Sequence, residues 1–175
     1  MADLNSKLQQ VKEGESFLEK MARIIPGYNG YVDRDNSREI DTILRNELAR
    51  KLDENKVRTK NVVLNLSKHG KLFETDGVDK LEKKIDNATA KLRSASRGYS
   101  GAFDVSKVKE DKLNQLYSFD AMLFDTINEI SATFELMENN SAANTDINET
   151  QQKAGKQLDD MLHKFDEREN FLRNI

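Results

Sequence analysis

One motif, Gly-Tyr-x-Gly-x-[Val/Phe]-Asp, occurs twice and sets where this chain must turn. It reads Gly27-Tyr28-Asn29-Gly30-Tyr31-Val32-Asp33, and again Gly98-Tyr99-Ser100-Gly101-Ala102-Phe103-Asp104. Each copy lies between two stretches whose apolar residues recur at three- and four-residue spacing. Glycines stop one helix, and an aspartate can cap the next. A long coiled coil is the competing fold; the two glycine turns and Gly70 argue against one continuous rod and for a chain that folds back on itself.

The flanking stripes predict five helices. The first spans Asp3 to Ile25, with Leu4, Leu8, Val11, Leu18, Met21 and Ile25 inward, and ends before the single proline, Pro26. The second runs to about His69 along Ile40, Leu44, Leu48, Leu52, Val62 and Leu66. Asn36 and Glu39 have capping-box spacing at its start. Its stripe turns polar at Asn55 and Thr59. Gly70 is a helix stop, and Leu72 and Phe73 in the link are expected to pack onto the bundle. The third helix runs from Asp76, as cap, to Ser96, with Val78, Leu81, Ile85, Ala88, Leu92 and Ala95 at heptad positions. The fourth, capped by Asp104 or Ser106, reaches about Asn139 through Leu113, Leu116, Tyr117, Leu123, Phe124, Ile127, Ile130, Phe134 and Met137. Asp146 and Glu149 cap the fifth, whose inward residues are Ile147, Ala154, Leu158, Met161, Phe165 and Leu172.

The expected fold is all-α: an elongated up-down bundle of about five helices, two helical hairpins plus a C-terminal helix, in a single domain over 1–175. Helices of about 34 residues, the second and fourth, would be roughly 50 Å long and overshoot the others at the end away from the glycine turns. Both turns then fall at one end. The 71-residue offset from Gly27 to Gly98 hints at a duplicated hairpin.

Composition narrows the chemistry. The chain has no cysteine and 2 histidines, which excludes disulfides, thiolate zinc sites and cysteine nucleophiles. Charged residues are 34% with a net charge of −3, both signs interspersed, so a bulk polyanion binder is not expected. Met1-Ala2-Asp3-Leu4-Asn5 carries neither a basic n-region nor an apolar h-region, so no secretion signal is expected, and no apolar run approaches the length of a membrane span. These features point to a cytoplasmic protein.

The segment Ile25-Pro26-Gly27-Tyr28-Asn29-Gly30-Tyr31, with Asp33-Arg34-Asp35 and Arg38, resembles the opening of a helical-bundle family of uncharacterised prokaryotic proteins. Lys107 to Leu113, leading to Leu116-Tyr117 and Asp120, resembles it too. The resemblance spans Ile25 to about Phe134. It implies the helical fold and attaches no activity, ligand or catalytic residue.

Candidate sites are few. The turn end gathers Tyr28, Tyr31, Tyr99 and Phe103 with Arg34, Arg38 and Arg97. Two helix N-termini would add their positive dipole ends there. These residues are candidate ligand or partner contacts; their plainer role is to lid the core. Asp33-Arg34-Asp35-Asn36-Ser37 resembles the start of a calcium loop but lacks its glycine, and Leu44 replaces the bidentate glutamate. No metal and no cofactor is expected. Asp120 falls inside the apolar seam of the fourth helix, where a carboxylate must be paired. Counting from the turns, Arg45 and Arg50 are its expected partners. With no nucleophile–base set and no phosphate loop, the sequence reads as a non-enzymatic helical protein-interaction or scaffold protein with an unidentified protein partner. The alternative is a small-anion or nucleic-acid binding module built on Tyr28, Tyr99, Arg34 and Arg97.

Overall fold

The computed structural model describes residues 18–19, 21–23, 25, 27–30, 34–95 and 110–174. The protein is an all-α bundle, with no strand among those residues. Its main elements are α1 (Arg34–Lys68), a 3-10 turn (Leu72–Glu74), α2 (Thr75–Ser94), α3 (Glu110–Ala142) and α4 (Asn148–Arg173). Residues 21–23, ahead of the first glycine turn, are also helical. Helical bonding there runs as far as Ile25, whose N–H donates to Met21 O at 2.8 Å.

Ion pairs fix how the helices neighbour one another. Arg93 of α2 reaches Asp53 of α1 at 2.7 Å, and Lys56 bridges Asp53 and Asp86, so α1 and α2 are antiparallel. Asn55 donates to Ser131 Oγ at 3.2 Å and Asn65 to Ser141 Oγ at 3.1 Å, so α1 and α3 are parallel. Lys84–Asp159 and Lys91–Asp166, both at 2.6 Å, make α2 and α4 parallel as well. Around the bundle the order is therefore α1, α2, α4, α3. Direction alternates along the chain, but around the bundle two neighbouring pairs, α1 with α3 and α2 with α4, run parallel. The closely packed hairpins are 34–94 and 110–173, while α2 and α3, joined by the second glycine segment, lie across the diagonal.

Both hairpins end their long helix in the same way. Gly70 has φ 73°, Lys71 N–H donates to Leu66 O at 2.9 Å, and Gly70 N–H donates to Ser67 O at 3.2 Å. Asn144 has φ 57°, Thr145 N–H donates to Asn140 O at 2.9 Å, and Asn144 N–H donates to Ser141 O at 3.2 Å. Each pair of bonds satisfies the last carbonyls of a helix through a left-handed residue.

The sequence expectations shift at several ends. The helix expected to begin at Asn36 begins at Arg34, and the Asn36 amide instead donates to Asn29 Oδ1 of the glycine turn at 2.9 Å. The 3-10 turn runs straight into α2, so Asp76 lies inside the helix and caps nothing. Asp146 accepts from Asn148 N–H at 3.0 Å just outside α4, whose N-cap position is Ile147. Asn55 and Thr59 do not break α1. Asn55 is buried and donates to the Leu52 carbonyl and Ser131, and Thr59 to the Lys56 carbonyl and Glu82.

Leu72 and Phe73 do not pack onto the core. They are 61% and 98% exposed, because the tight 3-10 turn carries no buried position.

Candidate functional site

Near the glycine-turn end the apolar core gives way to a layer of charge. Asp120 of α3 is fully buried, at 0% exposure. Its partner is Arg168 of α4, whose Nε donates to Asp120 Oδ1 at 2.6 Å. Arg168 Nη2 lies 2.8 Å from Asp41 Oδ1 of α1, an ion pair without hydrogen-bond alignment. Arg168 Nη1 donates to Glu169 Oε1 at 3.2 Å. Asp41 Oδ2 accepts from Arg45 Nε at 2.8 Å. Arg45 Nη1 then donates to Leu92 O at 3.0 Å, capping the C-terminal turn of α2. Two guanidiniums and three carboxylates thus tie all four helices together. Low dielectric strengthens such contacts, and the same dielectric makes each member expensive to strand.

The first glycine turn closes this layer from above. Tyr28 is buried, at 2% exposure. Burial first, and then the Asp120 carboxylate beside it, push its phenol pKa upward, so Tyr28 stays protonated. Gly30 has φ 82°, and a Cβ there would sit 2.8 Å from the Tyr117 hydroxyl. Glycine is required on both counts: the left-handed backbone and the close side chain.

Among the described residues of the layer, Glu169 lines a cleft. The cleft, about 350 Å³, lies between the ends of α2 and α4 and is lined by Lys91, Ser94, Phe165, Glu169 and Arg173, among others. Burial, and then the charge of Asp41, push the Glu169 carboxyl up to about 8, against the pull of Arg45, Arg173 and Lys91.

The site residues named from sequence separate into groups. Tyr28 lies in the core, so its ring is not a surface for a ligand; the turn folds it down onto Asp120. Arg38 is exposed on the first turns of α1. Tyr31, Arg97, Tyr99, Phe103 and the side chain of Arg34 lie outside the described residues. That the two glycine turns share one end also cannot be read there, because the second copy is outside as well.

The expected arginine partners of Asp120 are corrected. Arg45 is at the right level but is turned toward Asp41 and the end of α2. Arg50 is on the surface, held by Glu47 and Glu54.

Arg168, Glu169 and Asp41 were missed. The signal was present: the α4 stripe jumps from Phe165 to Leu172, and Arg168 and Glu169 fill the three- and four-residue steps between them. Asp41 and Arg45 are likewise an i, i+4 pair beside Ile40 and Leu44.

Chemically, Asp120 is locked by its arginine and has no open approach. Among the described residues, no group of three or more His, Cys, Asp or Glu side chains is placed to hold a metal ion. No helix among them is long and apolar enough to cross a membrane. Comparison with protein-family models, with curated proteins and with solved structures gave no match.

Proposed function

We propose that this protein is a non-enzymatic, cytoplasmic helical scaffold that engages a protein partner through the tip of its first hairpin. The observation that carries this reading is the pair Leu72 and Phe73, 61% and 98% exposed at the turn between α1 and α2. Single exposed apolar residues are ordinary, but an adjacent leucine and fully solvated phenylalanine at a tip form an anchor of the kind interfaces use. Val57 and Leu64, also exposed, share one face of α1 below the tip. The buried charge layer fits this reading, because Asp41 and Asp120 are taken up by arginines that hold helices together.

The test is affinity capture from native lysate with the wild-type chain and with the double variant Leu72→Ser, Phe73→Ser. Both residues are exposed, so the fold should change by no more than about 0.5 kcal/mol each. Loss of a specific protein band in the variant supports the tip as the docking point. Identical capture by both proteins, or none by either, overturns it.

A further inference from the structure

Among the described residues, the buried cations of the charge layer are Arg45 and Arg168, against the buried carboxylates Asp41, Asp120 and Glu169, so the layer is unbalanced if all of these ionise. Asp120 and Asp41 each have a guanidinium at 2.8 Å or closer, whereas Glu169 shares Arg168 with both of them at 3.2 Å. The groups that face Glu169 come from three helices: Asp41 and Arg45 from α1, Lys91 from α2, and Arg168 and Arg173 from α4 itself. Lys91 is already paired with Asp166 at 2.6 Å. Asp120 on α3 acts on Glu169 only through Arg168. Glu169 also lines the cleft between α2 and α4, which gives water and protons a route to it.

We propose that Glu169 is a proton-operated latch that holds the end of α4 against α1. With the proton on, two carboxylates balance two guanidiniums and the layer is closed. With the proton off, a third carboxylate stands beside Asp41; the other cations that face it among the described residues, Lys91 and Arg173, lie at the solvent edge, Lys91 already paired with Asp166, and the last turns of α4 loosen from the bundle.

The sign follows from linkage. The Glu169 carboxyl holds its proton in the folded chain up to about 8, against an ordinary glutamate value of 4.5. Between those values the folded chain binds a proton that the unfolded chain does not, so folding weakens as pH rises through that window. Below it the contribution is complete; above it the loss levels off.

The experiment is urea unfolding of the full chain and of Glu169→Gln at pH values from 5 to 9. Glutamine keeps the shape of the protonated carboxyl and cannot ionise. Relative to Glu169→Gln, the wild-type folding constant should fall by up to roughly tenfold per pH unit between pH 5 and 8, and then level off. Amide exchange over 165–173, corrected for its intrinsic pH dependence, should accelerate at the alkaline end in the wild type and not in the variant. Parallel pH profiles for the two proteins would overturn the latch. Should Glu169→Gln fail to fold, carbon-13 titration of the wild-type glutamate carboxyls decides: one carboxyl titrating far above the rest supports it, and all titrating in the ordinary range sinks it.

Discussion

The two hairpins bury the same pattern of positions with different chemistry. Adding 75 to nine buried positions of α1 gives nine buried positions of α3: Asp41/Leu116, Arg45/Asp120, Leu48/Leu123, Ala49/Phe124, Leu52/Ile127, Asn55/Ile130, Thr59/Phe134, Val62/Met137 and Leu66/Ser141. The tips match with the offset shortened by one residue, Gly70 against Asn144, with the same pair of carbonyl-capping bonds. At these nine positions burial is shared while the chemistry differs, with something nearby compensating. The sharpest contrast is Arg45 against Asp120: opposite charges at matched places, one satisfied by Asp41 and the α2 carbonyls, the other by Arg168. Lower in the bundle, α1 buries Asn55 and Thr59 where α3 buries Ile130 and Phe134. The polar pair survives because its hydrogen bonds go to neighbouring carbonyls and to side chains of α2 and α3.

The comparison breaks most violently in the charge layer. Asp120→Ala leaves Arg168 with one buried carboxylate fewer and should cost about 3–5 kcal/mol in urea unfolding. Arg168→Ala should cost a similar amount, and the double variant much less than the sum, because the two share one ion pair. Asp120 and Arg45 make no direct contact, so their cycle should show weaker coupling than the Asp120–Arg168 cycle. Equal coupling in both cycles would mean that the layer acts as one unit and that matched positions do not keep separate partners.

A smaller effect is expected at the first turn. Gly30→Ala forces a Cβ into the left-handed region and against the Tyr117 hydroxyl. A loss of about 1–3 kcal/mol should follow. An unchanged unfolding midpoint would show that the turn can move away from α3, and that Tyr28 is not held in place by it.

Much of this bundle was legible in the residues, and the reasons for the rest are specific. Apolar periodicity located the four described helices, since each buries a stripe that repeats every three or four residues. It also put Asp120 inside, because the seam around it is apolar. Periodicity does not say which helices touch, so α4 was not seen to supply the partner. Arg168 and Glu169 look like solvent residues when read one at a time, and only the gap between Phe165 and Leu172 marks them as inward. Leu72 and Phe73 misled in the opposite sense: hydrophobicity suggested burial, but a three-residue 3-10 turn leaves no core for them to enter.

The finest test of equivalence lies at the two tips and should give the smallest numbers. Glycine reaches the left-handed region without steric cost, whereas asparagine enters it with strain that its short polar side chain only partly relieves. Glycine also has more conformational freedom to lose on folding, which offsets part of that advantage. Asn144→Gly should therefore stabilise the chain by only about 0.5 kcal/mol, and Gly70→Asn should destabilise it by about as much. The tips are linked by Lys71 Nζ donating to Asn144 O at 3.4 Å, a backbone contact that neither substitution removes. If the tips are structural equivalents, the exchanged double variant should unfold within about 0.3–0.5 kcal/mol of wild type, the ordinary error of additivity. Gly70→Asn costing several times what Asn144→Gly returns would mean that the first tip carries a constraint the second lacks. The adjacent 3-10 turn with Leu72 and Phe73 is the element that distinguishes them, so the excess should vanish when that turn is replaced by the Thr145-Asp146-Ile147 connection of the second hairpin.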